Sequence, residues 1–350
     1  MSGWRQMSRR TTTLIVGSVL LLVLAALVAE VRVPYVAEGP GPTVNTLGSY
    51  QGKKVITVTG RDVPTPSGHL NLTTVSVTEN FNLLTAMRYW ASSKYTVVPR
   101  EIIYPPSHTE QQTNQQNVAQ FAQSQSSAET VALREAGFPV YVVVDSLSSG
   151  SPSAGLLKAD DRITAVDGTT VTSVQKLQDL VNEHKPGEIV AVTARRDKQS
   201  RQVRVRLGKN PDDASRPLLG ISLKQQQPHP GITITFAIDK IGGPSAGLMF
   251  TLGLVDMLEP GNLTGGRFIA GTGEIDDEGE VLPIGGIHQK TVAARAAGAT
   301  YFLTPSDNCG EAEHDLPGGL RLVKVTDVGD ALAALKTIRT GQGSLPACPS

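Results

Sequence analysis

Ser245 and Lys290 are the two residues whose types and settings could do chemistry together. Each lies in a dense glycine-rich string. The serine sits in Gly242-Gly243-Pro244-Ser245-Ala246-Gly247. The lysine closes Val281-Leu282-Pro283-Ile284-Gly285-Gly286-Ile287-His288-Gln289-Lys290. A serine hydroxyl is a weak nucleophile until a base takes its proton, and a desolvated lysine can be that base without histidine or aspartate. Such a lysine must be neutral. Its ordinary pKa is about 10.4, so work near neutrality needs a depression of roughly 2–3 units, which burial against apolar walls supplies. Ile287, Val292, Ala293 and Ala294 are such material close by.

The elements around the pair must position it. Ser245 falls where a strand-to-loop passage meets an apolar helix expected over Ser245 to Leu258. Glycines let backbone approach closely, Pro244 fixes the loop, and a helix N-terminus offers free N–H groups. Those features suit an oxyanion hole, with the Gly243 and Ser245 backbone N–H groups as donors. The bland alternatives are a helix N-cap for Ser245 and an exposed helix lysine for Lys290. Pro-Ser-Ala-Gly occurs twice, and the first copy has no lysine string behind it, so Ser153 reads as structural. His288 is two residues from Lys290 and points to another helix face, which argues against a Ser–His pair.

Order and spacing carry a resemblance. After the serine come an apolar helix, Thr272-Gly273-Glu274-Ile275, Gly279-Glu280-Val281-Leu282-Pro283-Ile284-Gly285-Gly286, and a lysine-bearing helix. This series resembles the proteolytic domain of the Lon proteases (peptidase family S16). The resemblance implies a Ser245–Lys290 dyad, with Thr272 hydrogen-bonded to it and orienting Lys290. One departure stands out. Many Lon domains carry an acidic residue three before the serine, where this chain has Gly242; Asp239 and Lys240 lie slightly earlier as substitutes. No Gly-Lys-Ser/Thr string occurs, so the ATPase module of Lon is not expected and proteolysis should be ATP-independent. Metal-ligand spacing is lacking too, and no cofactor is expected.

Residues 137–208 resemble a PDZ domain. Tyr141-Val142-Val143-Val144 reads as a strand, Gly150 to Ile163 follows the small-residue turn and Asp-Arg-Ile pattern of bacterial PDZ domains, and Val174 to Val181 reads as a helix. The resemblance implies peptide capture by strand addition, with Gly137, Phe138 and Val140 in the carboxylate-binding loop. Pro139 removes one donor there. Residues 31–136 read as a separate β-rich segment with a connecting helix, 209–217 as a polar linker and 218–340 as the Lon-like domain. The tail is 341–350. Alternating strands and helices make the Lon-like domain α/β (α+β).

Thr11 to Ala29 contains no charged residue. A helix of that length spans roughly 28 Å, about one bilayer core. Arg5, Arg9 and Arg10 precede it, which places residues 1–12 in the cytoplasm, a transmembrane anchor at 13–30 and the rest outside. A cleaved signal peptide is the alternative, though Leu27-Val28-Ala29 is a poor cleavage site. Cys309 and Cys348 fit export and are expected to pair in a disulfide, with two free thiols as the alternative. Lys+Arg and Asp+Glu both number 32, leaving no basic excess for nucleic acid.

Together these landmarks resemble the membrane-anchored, PDZ-containing Lon-like proteases of the YlbL type. The implied function is an extracytoplasmic, single-pass serine endopeptidase acting on polypeptides. Lon-like domains commonly form rings, so a homo-oligomer is implied too. A membrane-tethered PDZ adaptor with a silent Lon-like domain is the rival reading. An HtrA-like protease does not fit, because no Gly-Asn-Ser-Gly-Gly string is present and the module order is reversed.

Overall fold

The computed structural model describes residues 9–349 except 139, 197–198, 212, 227–231, 239–240 and 260. Two large sheets carry the fold. In the first, the strand order is Arg321–Val325, Tyr301–Pro305, Phe268–Gly271, His69–Thr78, Tyr35–Asn45, Thr96–Pro99. The pairings on both sides of Phe268–Gly271, and that of Tyr301–Pro305 with Arg321–Val325, are parallel; the others are antiparallel. Three of the six strands therefore come from residues 35–99. This corrects the division of 31–136 from 218–340. Strand His69–Thr78 buries Leu70 and Leu72 and needs a partner on each side. Its parallel partner starts at Phe268, far along the chain, and local periodicity carries no trace of such a crossover.

Helix Gly247–Leu258 is buried along its whole length. A helix apolar on every side belongs inside a core. It packs on Glu110–Glu135, which turns Phe121, Ser124, Ala128 and Val131 inward. Small side chains at helical spacing let the two axes approach, and Phe121 meets Phe250 edge-on at 5.8 Å between centroids.

The second sheet has the order Gln199–Arg206, Ile189–Arg196, Arg162–Val166, Tyr141–Leu147, Ile221–Gln226. With helix Val174–Asn182 it encloses its own core, including Val144, Leu157, Ile163, Leu180 and Val192. This module runs past residue 208. Gly208–Lys209 pairs with Pro217–Leu218, so the polar stretch between them is a hairpin loop inside the module and not a linker out of it.

An N-terminal helix covers Arg9–Glu30. Its described side chains are 10–23 and Glu30, and among the described residues no helix is long and apolar enough to cross a membrane.

Candidate active site

Ser245 sits in a turn two residues before its helix, which starts at Gly247. The N-cap is Ala246, with no side-chain cap bond, so the Ser245 hydroxyl is not engaged in capping. A Cβ on Gly247 would stand 2.6 Å from Ile275 Cγ2, so only glycine fits this approach. The Ser245 carbonyl is held twice, by the Gly273 N–H at 3.0 Å and by the Thr272 hydroxyl at 2.9 Å.

Lys290 projects from helix Ile287–Ala297, whose N-cap Gly286 adopts the left-handed conformation (φ 67°). Its side chain is 3% exposed. Nζ lies 2.7 Å from Ser245 Oγ and 3.1 Å from Thr272 Oγ1. Burial disfavours the ammonium form and lowers the Lys290 pKa to about 7. An amine titrating there is partly neutral at physiological pH and can take the serine proton across the same contact. Ser245, Lys290 and Thr272, anticipated together from the sequence, are thus brought together.

The expected oxyanion donors divide. The Gly243 N–H is already given to the Asn117 carbonyl at 2.9 Å, so it is not free for an oxyanion. That corrects the expectation; Gly243, at φ 82°, serves the shape of the loop. The Ser245 and Ala246 N–H groups have no acceptor among the described residues and lie at the helix start. Asp239 and Lys240 lie outside the described residues. His288 turns away and meets the Ser93 carbonyl at 2.7 Å.

Supporting residues from distant segments were missed in the sequence. Ser124 Oγ donates to the Pro244 carbonyl at 2.8 Å, tying the serine loop to helix Glu110–Glu135. Asn308 braces the loop before the lysine helix, accepting from the Ile284 N–H and donating to the Ile284 carbonyl, each at 2.9 Å. The one sequence signal was Ser124 and Ser127 among small residues at helical spacing. Cys309 and Cys348 are joined by a disulfide, with Cα atoms 5.2 Å apart.

A cavity of about 620 Å³ holds Ser245 and Lys290. Its wall includes Thr73 to Val77, the part of strand His69–Thr78 that continues beyond its parallel partner. Among the described residues that stretch is paired on one side alone, with Tyr35–Asn45.

Two family models match the chain. Residues 235–336 match the Lon protease (S16) C-terminal proteolytic domain, and residues 114–207 match the PDZ domain. The chain carries a PDZ domain and a Lon-type proteolytic domain. It is 43% identical over 74 residues to the Lon protease of Koribacter versatilis, covering 21% of this chain and 9% of that protein. Lon protease 1 of Bacillus subtilis is 40% identical over 79 residues, 23% of this chain and 10% of that one. The chain therefore spans about a tenth of the length of the curated relatives it matches. The solved PDZ domain of the SdrC-like protein from Listeria monocytogenes is 29% identical, covers 23% of this chain and 85% of that one, and has a TM-score of 0.22.

In the PDZ domain the structure places the expected loop residues Gly137, Phe138 and Val140 away from a sheet edge. Gly137, at φ 77°, ends helix Glu110–Glu135: its N–H bonds to the Arg134 carbonyl and that of Phe138 to Leu133. Phe138 and Val140 pack on the main core. The strand that follows them, Tyr141–Leu147, is paired on both sides and has no edge to offer. Among the described residues the outer strands are Gln199–Arg206 and Ile221–Gln226. Between Ile221–Gln226 and helix Val174–Asn182 lies a groove of about 220 Å³ lined by Val181, Arg216, Leu219, Gly220, Ile221 and Leu223. The sequence expectation stopped at residue 208, whereas the strand that closes this sheet is Ile221–Gln226.

Proposed function

We propose that this chain is a serine endopeptidase working by a Ser245–Lys290 dyad, independent of ATP. The observation that carries this reading is the 2.7 Å contact between Lys290 Nζ and Ser245 Oγ in a buried setting that neutralises the amine. A substrate strand adds to the open edge at Thr73 to Val77 and brings its carbonyl carbon to Ser245 Oγ. Lys290 takes the hydroxyl proton as the Oγ–C bond forms. The N–H groups of Ser245 and Ala246 receive the oxyanion. Lys290 returns the proton to the leaving amine as the C–N bond breaks, and water then hydrolyses the acyl-enzyme by the same exchange.

The groove at Ile221–Gln226 captures a polypeptide C-terminus, with Arg216 as the cation for its carboxylate. The apolar run from Thr11 to Ala29, led by arginines, anchors the chain in the cell membrane with both domains outside. The disulfide supports that side, because such bonds persist in oxidising compartments.

A fluorophosphonate tests the nucleophile directly. The wild type is expected to gain one covalent adduct, mapped to Ser245, and Ser245→Ala and Lys290→Met to gain none. An adduct on another residue, or one that forms equally in Lys290→Met, contradicts the dyad.

A further inference from the structure

Helix Leu83–Trp90 turns its largest apolar side chains outward. Leu83 is 37% exposed, Leu84 50%, Met87 58% and Trp90 82%. On a helix these four positions form one continuous stripe. The inner side is well made: Ala86 is buried, Tyr89 packs edge-on against Phe81, and Asn82 caps the helix by accepting from the Thr85 N–H at 2.9 Å. The outward stripe is thus a property of a well-formed helix, not of a loose end.

Its location is fixed by backbone. The Leu83 N–H donates to the Val31 carbonyl at 3.0 Å, and the Val33 N–H to the Phe81 carbonyl at 3.3 Å. Arg32 and Asn82 form a bridge between the two segments. The stripe therefore begins at the foot of the N-terminal helix, which ends at Glu30. Val31, in the same junction, is 50% exposed.

We infer that the outer face of helix Leu83–Trp90 seats in the lipid bilayer interface beside the N-terminal helix. This rests on reading that helix as the membrane anchor. If Glu30 emerges at the headgroups, the bonds to Val31 and Val33 hold the stripe at that same depth. Tryptophan is enriched in that layer, and short amphipathic helices with basic rims bind it; Arg32 and Arg88 are such a rim. Glu38 lines both the catalytic cavity and the cavity walled by Trp90, so seating this helix sets the catalytic cleft close to the bilayer.

The test uses the full chain with Trp4→Phe, which leaves Trp90 as its one tryptophan. It is reconstituted in phosphatidylcholine/phosphatidylglycerol vesicles whose acyl chains carry bromine either near the headgroup or near the bilayer centre. The expected result is loss of at least half the Trp90 fluorescence with shallow bromines and much less with deep ones. Alkaline carbonate extraction of the same vesicles separates the premises. Release of the chain overturns the anchor and this seat with it. A chain that stays in the membrane with unquenched Trp90 overturns the seat alone. Emission shifted to the blue but unquenched, and dependent on protein concentration, assigns the stripe to a second copy of the chain and also overturns it.

Discussion

The hydroxyl of Thr272 donates to the carbonyl of Ser245 at 2.9 Å. Having given its hydrogen there, it can only accept from Lys290, whose Nζ lies 3.1 Å away. Thr272 thus holds both the serine turn and the amine. Thr272→Val keeps the shape and removes both bonds. Losing hydrogen bonds of this kind costs about 1–3 kcal/mol, so kcat should fall roughly 10–100-fold with little change in KM. Thr272→Ser should restore most of the loss. Steady-state kinetics on a fluorogenic peptide decide it.

The lysine gives a pH signature. Only its neutral form accepts the serine proton, so kcat/KM should rise with pH through about 7 and then level. Stability should move the same way. Unfolded, the group returns to its ordinary value of 10.5, so between about 7 and 10.5 the unfolded chain binds more protons and folding strengthens as pH rises. The deficit is fully present below about pH 7 and amounts to on the order of 4–5 kcal/mol. Urea denaturation from pH 7 to 10 should show this slope in the wild type and lose it in Lys290→Met.

The disulfide ties the C-terminal tail to the wall behind the lysine helix. Cys309 and Cys348 share a cluster with Ile287, Ala294 and Phe302, and the Lys324 N–H donates to the Pro346 carbonyl at 3.0 Å. A loop with the cysteines 39 positions apart is worth about 4 kcal/mol in the chain-entropy model. Reductant should lower the melting temperature of the wild type and leave that of Cys309→Ala/Cys348→Ala, already lower, unmoved.

The meeting of Ser245, Thr272 and Lys290 was legible because the signal is local: each lies in a short string that holds its own turn. The frame was not. Half the strands of the proteolytic sheet lie before Asn117, and they join the rest through one pairing, of His69–Thr78 with Phe268–Gly271, that depends on tertiary contact alone. Gly243 misled for a related reason. Its place in a glycine-rich loop before a helix suited an oxyanion donor, yet its N–H is taken by Asn117, a residue in a distant helix. The same dependence on tertiary contact hid the role of Gly137, whose left-handed backbone terminates a helix.

The two groove positions can be told apart. A fluorescent peptide with a free C-terminus should bind, and its amidated form should not. Leu223→Asp places a charge in the groove and should abolish binding. Gly137→Ala should leave binding intact and lower stability by about 1 kcal/mol, the cost of a side chain in left-handed backbone. Fluorescence anisotropy and melting curves read the two effects.

The central claim is that Ser245 and Lys290 cut polypeptide without nucleotide. The direct measurement incubates an unfolded reporter protein, in the absence of ATP, with the wild type, Ser245→Ala and Lys290→Ala, and follows fragments by gel and mass spectrometry. Cleavage by the wild type alone is the predicted result. Cleavage that survives both substitutions contradicts the dyad, and an intact reporter with every protein, the wild type in membranes included, contradicts the peptidase reading and favours a silent adaptor.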